Sequence, residues 1–92
     1  MPEILLSHRD HKILVVEDDR ILREALRYNL VAAGYEVVVA SDGGEGLVSA
    51  RQSSPDVVVL DLMLPSLSGM EVCKALRRDG SILPIIMLTA RD

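Results

Sequence analysis

Four short runs of apolar and β-branched residues are spaced along the chain, separated by segments of helical periodicity. Near-continuous apolar runs of this length are typical of strands that are covered on both faces. They predict four buried strands: KILVV (12–16), YEVVVA (35–40), DVVVL (56–60) and PIIMLT (84–89).

The three intervening segments carry helix signals. In RILREALRYNLVAAG (20–34) apolar residues recur at helical spacing, and Gly34 is a natural stop. DGGEGLVSARQSS (42–54) begins with a loose Asp-x-x-Glu capping box, although its glycines favour only a weak helix. SGMEVCKALRRDG (68–80) begins with a better Ser-x-x-Glu box. Strands alternating with helices predict an α/β fold with a doubly wound parallel sheet.

Composition excludes several classes of protein. The net charge of −4 argues against a nucleic-acid surface in this segment, because such surfaces are usually basic. The single cysteine, Cys73, forms no internal disulfide, which suggests a reducing, cytoplasmic setting. No run approaches the roughly 18 apolar residues of a membrane helix, so we expect no membrane partner. We expect residues 1–11 to be an N-terminal extension and residues 12–92 to form one domain.

Acidic side chains stand at the ends of two predicted strands. Glu17, Asp18 and Asp19 follow the first strand, and Asp61 follows the third. Chemistry in open parallel sheets lies beyond the carboxyl ends of the strands, at the point where strand order reverses. If the first and third strands are neighbours, the carboxylates converge, and Mg²⁺ would relieve their repulsion. An Asp carboxylate can also attack phosphorus, and a hydroxyl at Thr89 could contact a phosphoryl oxygen.

Each of these features also has a simpler explanation. An acidic turn after a strand often caps the next helix, and a threonine such as Thr89 often simply ends a strand. Their joint placement at three strand ends favours a site.

The chain resembles the receiver domain of two-component response regulators. The resemblance rests on ILVVEDD (13–19), PDVVVLDLMLPSLSG (55–69) and PIIMLTA (84–90). LDLMLPSLSG and MLTARD are most similar to the OmpR/PhoB subfamily, whose receivers precede a winged-helix DNA-binding domain. The resemblance implies a flavodoxin-like sheet of strand order 2-1-3-4, with the family's fifth strand missing from this chain.

The resemblance also implies roles for individual residues. Asp61 would be the phosphoacceptor, switched by a sensor histidine kinase. Mg²⁺ (or Mn²⁺) would be bound by Asp18 directly, by Glu17 through water, by Asp61, and by the backbone carbonyl of Met63. Phosphoryl contacts and loop shape would come from the remaining matched residues: Thr89 as the switch hydroxyl, Ala90 as the small neighbour, and Pro65 and Gly69 in the loop.

The match departs from the family at one position. The family's phosphoryl-binding lysine has no counterpart, because no lysine follows Lys74. We therefore expect a C-terminally incomplete receiver whose fourth strand is an exposed edge open to self-association. DNA would be bound only through a domain outside these 92 residues.

Two other functions remain open from the sequence. A phosphohydrolase with an aspartyl nucleophile usually has a second Asp two residues later, where this chain has Met63. A non-phosphorylated interaction module, or a fragment completed by a partner, is the other alternative. The leading hypothesis is a receiver that modifies itself and is no turnover enzyme.

Overall fold

The structure, a computed structural model, describes residues 11–88. Over these residues strands and helices alternate strictly, as the sequence predicts. The elements are β1 (Lys12–Val16), α1 (Arg20–Ala32), β2 (Glu36–Ala40), α2 (Gly43–Ser53), β3 (Val57–Asp61), α3 (Gly69–Arg78) and β4 (Ile85–Leu88).

The strands form one parallel sheet in the order β2-β1-β3-β4, which confirms the predicted fold class and strand order. Val16 of β1 lies opposite Ala40 on one side and Leu60 on the other, so β1 and β3 are direct neighbours. Among the described strands β4 is an edge, and its Ile86 is 54% exposed. Self-association through this edge stays a prediction.

Short polar side chains begin the helices. The Asp19 carboxylate accepts hydrogen bonds from the backbone N–H groups of Ile21 and Leu22 and so begins α1. The predicted capping box of α3 is complete, since Ser68 and Glu71 each accept the other's backbone N–H.

The capping box predicted for α2 is only half correct. Asp42 accepts the backbone N–H of Glu45 at 2.8 Å, as expected. The Glu45 carboxylate instead accepts hydrogen bonds from the backbone N–H and the hydroxyl of Ser41, at 2.8 and 2.9 Å. Ser41 offers two donors, which is why Glu45 does not return to Asp42.

The main core lies between the sheet and the helices α2 and α3. Alternate residues of β1 and β3 point into it, and their solvent exposure is zero: Leu14, Val16, Val58 and Leu60. Val72 and Leu76 of α3 close the core from the other side. Because the last core residue of each strand directly precedes an acidic residue, tight packing fixes where the carboxylates project.

Within the part of the chain described here, no helix has the length and apolar character needed to cross a membrane.

Candidate metal centre at the carboxyl end of the sheet

Three carboxylates meet where the strand order reverses. Glu17 and Asp18 directly follow β1, and Asp61 is the last residue of β3. Each can offer one oxygen such that all three oxygens lie within 4.8 Å of one another. The structure therefore brings together the side chains that the sequence predicted would converge. Asp19 has a different task, because its carboxylate caps α1.

The three carboxylates differ in exposure. Glu17 is 3% exposed and Asp61 is 8% exposed, whereas Asp18 lies open to solvent. Burial raises the pKa of Glu17, and the negative charges of Asp61 and Asp18 raise it further. The backbone N–H of Asp19, which donates to Glu17 at 3.0 Å, opposes this rise. Like charges held this close repel one another, and a bound cation would offset that repulsion.

The chemistry of the cluster fits Mg²⁺ or Mn²⁺. Hard divalent cations prefer oxygen ligands, and opposite ligands of an octahedral Mg²⁺ are about 4.2 Å apart. A spread of up to 4.8 Å is close to that value. A water between the ion and one carboxylate, as expected for Glu17, would accommodate the remainder. One open carboxylate, that of Asp18, gives the site an entry path.

Three hydrogen bonds that involve backbone groups hold the acidic residues in place. The Met63 N–H donates to Asp61 Oδ1 at 3.2 Å, while the Met63 side chain is 66% exposed. Arg23, one helical turn into α1, donates from Nη1 to the carbonyl oxygens of Glu17 at 3.0 Å and Asp18 at 3.4 Å. The sequence analysis missed Arg23. Its partners are backbone carbonyl oxygens of residues that precede α1, six and five positions earlier, so no side-chain pattern in the sequence indicates these contacts.

Of the two residues expected to shape the loop after Asp61, Pro65 lies within it and Gly69 begins α3 directly after it. A Cβ atom at Gly69 would overlap the backbone oxygen of Asp61, so α3 can start this close to β3 only at a glycine. Pro65 is exposed, and its carbonyl oxygen accepts the Gly43 N–H at 3.1 Å. Thr89 and Ala90 lie outside the described residues, so their predicted contacts stay predictions.

A doubly wound parallel sheet with a carboxylate cluster at its switch point defines the class of this protein. Residues 13–92 match the response regulator receiver domain family, and the chain belongs to that family. The match confirms the family predicted from the sequence motifs.

Curated relatives agree with this assignment. The chain is 53% identical over 81 residues to the alkaline phosphatase synthesis transcriptional regulatory protein PhoP of Bacillus subtilis (strain 168), covering 88% of this chain and 34% of that protein. It is 54% identical over 81 residues to the response regulator MprA of Mycobacterium sp. (strain KMS), covering 88% and 35%. These relatives support the predicted OmpR/PhoB resemblance. The chain spans about a third of their length.

Solved structures share the fold. Chemotaxis protein CheY4 of Vibrio cholerae superposes with a TM-score of 0.83 at 37% identity, covering 89% of this chain and 70% of that one. Response regulator TrrA of Thermotoga maritima, solved in complex with Mg²⁺ and BeF, gives a TM-score of 0.83 at 38% identity, covering 89% and 71%.

Proposed function

We propose that this receiver accepts a phosphoryl group on the Asp61 carboxylate in a reaction that requires a divalent cation at Glu17, Asp18 and Asp61. The observation that carries the proposal is the convergence of these three carboxylates, within 4.8 Å, at the switch point of a receiver fold. The TrrA complex with Mg²⁺ and BeF supports the same choice of cation.

The transfer follows from the position of Asp61. One carboxylate oxygen forms the new P–O bond, while the bond from phosphorus to the donor's imidazole nitrogen breaks and that nitrogen keeps the electron pair. Mg²⁺ held by Glu17, Asp18 and Asp61 would neutralise charge on the transferring group. The Met63 N–H holds Oδ1 of Asp61, which orients the carboxylate for attack. Asp61 is consumed as an acyl phosphate, so the domain modifies itself and is no turnover enzyme.

The remaining roles rest on the family resemblance. The Met63 carbonyl would complete the ligand set, the Thr89 hydroxyl would contact the phosphoryl group, and Ala90 would leave room for it. The donor would be a sensor histidine kinase, as the receiver family supports. An output in transcription, through a DNA-binding domain outside these 92 residues, is supported by the similarity to PhoP, a transcriptional regulatory protein.

The acceptor is tested by labelling with a small phosphodonor such as acetyl phosphate in the presence of Mg²⁺. We expect the chain to gain the mass of one phosphoryl group and Asp61→Asn to gain none. Asp56→Asn is the matched control, because Asp56 precedes β3 at its other end and binds the Lys12 N–H. Chelation of the cation should abolish labelling of the unmodified chain.

Two outcomes would contradict the proposal. Labelling that persists in Asp61→Asn would move the acceptor to another carboxylate. Absence of labelling in the unmodified chain, with beryllofluoride also failing to bind, would favour the non-phosphorylated interaction module instead.

A further inference from the structure

The loop that follows Asp61, residues 62–68, is fastened to the start of α2. The Gly43 N–H donates to the Pro65 carbonyl oxygen at 3.1 Å. The Gly44 N–H donates to the Ser66 hydroxyl oxygen, also at 3.1 Å and across 22 residues of sequence. Both donors are backbone N–H groups of the first turn of a helix, which have no acceptor within the helix itself.

The contact is close and constrained on both sides. Gly43 is buried, and a Cβ atom there would overlap the backbone carbonyl of Leu67. Ser66 has a φ of 73°, a left-handed conformation that residues other than glycine rarely adopt. The loop therefore has an unfavourable backbone conformation at Ser66, the residue whose hydroxyl accepts the Gly44 N–H. The tertiary contact holds this conformation in place.

The same loop reaches the reactive carboxylate at its other end. The Met63 N–H donates to Asp61 Oδ1 at 3.2 Å, and the Gly69 N–H donates to the Leu62 carbonyl oxygen at 3.0 Å. Ser66 lies three residues beyond Met63. A loop fixed at β3, at α3 and at α2 leaves the Met63 backbone little freedom.

We propose that Gly43 and Ser66 are positioning residues for the Asp61 site: the first turn of α2 holds the 62–68 loop and thereby sets the Met63 backbone against Asp61. The inference rests on the proposed function for its effect on ligand affinity. Neither residue touches the carboxylate cluster in the contacts described above. Their influence passes through the loop, and the coupling is reciprocal, so occupation of the site also steadies the Gly44 N–H.

Ser66→Gly separates the contact from the strain. Glycine adopts a positive φ without penalty, so the variant folds, but it loses the hydroxyl that accepts the Gly44 N–H. Ser54→Gly is the matched control. Ser54 also has a positive φ, 51°, but it caps the opposite end of α2 and is exposed. Both variants relieve a left-handed serine, and only one cuts the loop from the helix.

The first measurement uses the ion-free chain and is independent of the proposed function. Amide resonances of Asp61 and Met63 should move in Ser66→Gly and stay in place in Ser54→Gly. Hydrogen exchange of the Gly44 amide should accelerate only in Ser66→Gly.

The second measurement is the affinity of each variant for Mn²⁺ and for beryllofluoride. We expect Ser66→Gly to weaken both affinities, by at most the roughly tenfold that one hydrogen bond is worth, and Ser54→Gly to leave them unchanged.

Unmoved Asp61 and Met63 resonances in Ser66→Gly would overturn the positioning role, whatever the chain binds. Equal affinities in Ser66→Gly and Ser54→Gly would overturn it as well. If the unmodified chain binds neither Mn²⁺ nor beryllofluoride, the proposed function fails, and the ion-free resonances still decide whether the loop depends on α2. Gly43→Ala, checked by thermal melting, is a second variant and should shift the same amides.

Discussion

The two ends of the parallel sheet handle charge in opposite ways. At the amino end, opposite charges and dipoles are paired. Lys12 Nζ donates to the carbonyl oxygen of Ser53, the last residue of α2, at 2.7 Å, and lies 3.9 Å from Glu36. The backbone N–H of Lys12 donates to the Asp56 carboxylate at 2.7 Å. A cation at a helix C-terminus also complements the helix dipole.

At the carboxyl end, like charges are held together instead. Glu17, Asp18 and Asp61 converge, and the pKa of Glu17 is raised by burial and by its acidic neighbours. The nearby guanidinium of Arg23 donates to backbone carbonyl oxygens of Glu17 and Asp18. The amino end thus contributes stability, while the carboxyl end gives up stability to create a site whose oxygen ligands suit a cation.

The largest expected effect is stabilisation of the carboxyl end by Mg²⁺. At about a hundredfold the Kd, binding adds about 2.7 kcal/mol to the free energy of unfolding. For a domain of this size that raises Tm by roughly 10–20 °C. Thermal melts in Mg²⁺ and in chelator measure the difference, and Asp18→Asn should remove most of it. An equal rise in Asp18→Asn would show that the ion binds elsewhere.

The next largest effect is expected from removing the positive charge of Lys12 at the amino end. Lys12→Met keeps the apolar stem but leaves the Ser53 carbonyl without its donor, so we expect a loss of about 0.5–1.5 kcal/mol. Urea unfolding at neutral pH measures it. Glu36→Gln is the control, because an exposed pair at 3.9 Å contributes less. If the two variants lose the same stability, the ion pair, and not the contact to α2, is what matters.

Glu17→Gln should raise the free energy of unfolding, by less than Lys12→Met lowers it. Because the folded pKa of Glu17 is raised above 4.5, the folded state binds its proton more tightly than the unfolded state. Raising the pH from the unfolded pKa of Glu17 through its higher folded pKa therefore lowers the free energy of unfolding of the ion-free chain. Glutamine removes the charge, so the variant should be more stable than the parent near pH 7 in chelator and less responsive to Mg²⁺. Urea titrations of both proteins, from below pH 4.5 to pH 7, measure this difference. If burial of Glu17 were not costly, the free energies of unfolding of the parent and the variant would change with pH in the same way.

Much of this contrast could be predicted from local sequence patterns. Strand periodicity and the acidic residues that follow β1 and β3 predicted the fold and the cluster at Glu17, Asp18 and Asp61. These features depend on burial and on strand ends, which a linear pattern records. The Ser68 capping box was predictable because its two partners are only three residues apart in the sequence.

Contacts that α2 makes with segments distant in the sequence could not be predicted in this way. The glycines of α2 indicated only a weak helix. In the structure a Cβ at Gly46 would lie 2.8 Å from Val16 Cγ1, and Gly43 meets the 62–68 loop. The hydrogen bond from Gly44 to Ser66 depends on where α2 and the 62–68 loop meet in space. The turn of the Glu45 side chain towards Ser41 depends on competition between nearby donors. Neither leaves a periodic signal in the sequence.

The smallest expected effect concerns a second ion pair at the amino end. Arg51 of α2 donates from Nε and Nη2 to the two carboxylate oxygens of Asp79, which caps α3, at 2.9 and 3.3 Å. Hydrogen bonding from Arg51 lowers the pKa of Asp79 below its usual 3.8, and the charges of Arg51 and Arg78 add to this.

The sign of the pH dependence follows from that lowered pKa. The pair stabilises the fold above the unfolded pKa of 3.8, and the contribution is lost as pH falls through the lower folded value. Asp79→Asn should therefore be slightly less stable than the parent at pH 7, with the difference shrinking in acid and in high salt, because both side chains are exposed. Arg51→Gln should give the same profile, and paired urea titrations measure both. A difference that persists in strong acid would mean that Asp79 acts through the α3 terminus and not through Arg51, and the amino end would then depend less on charge pairing than its geometry suggests.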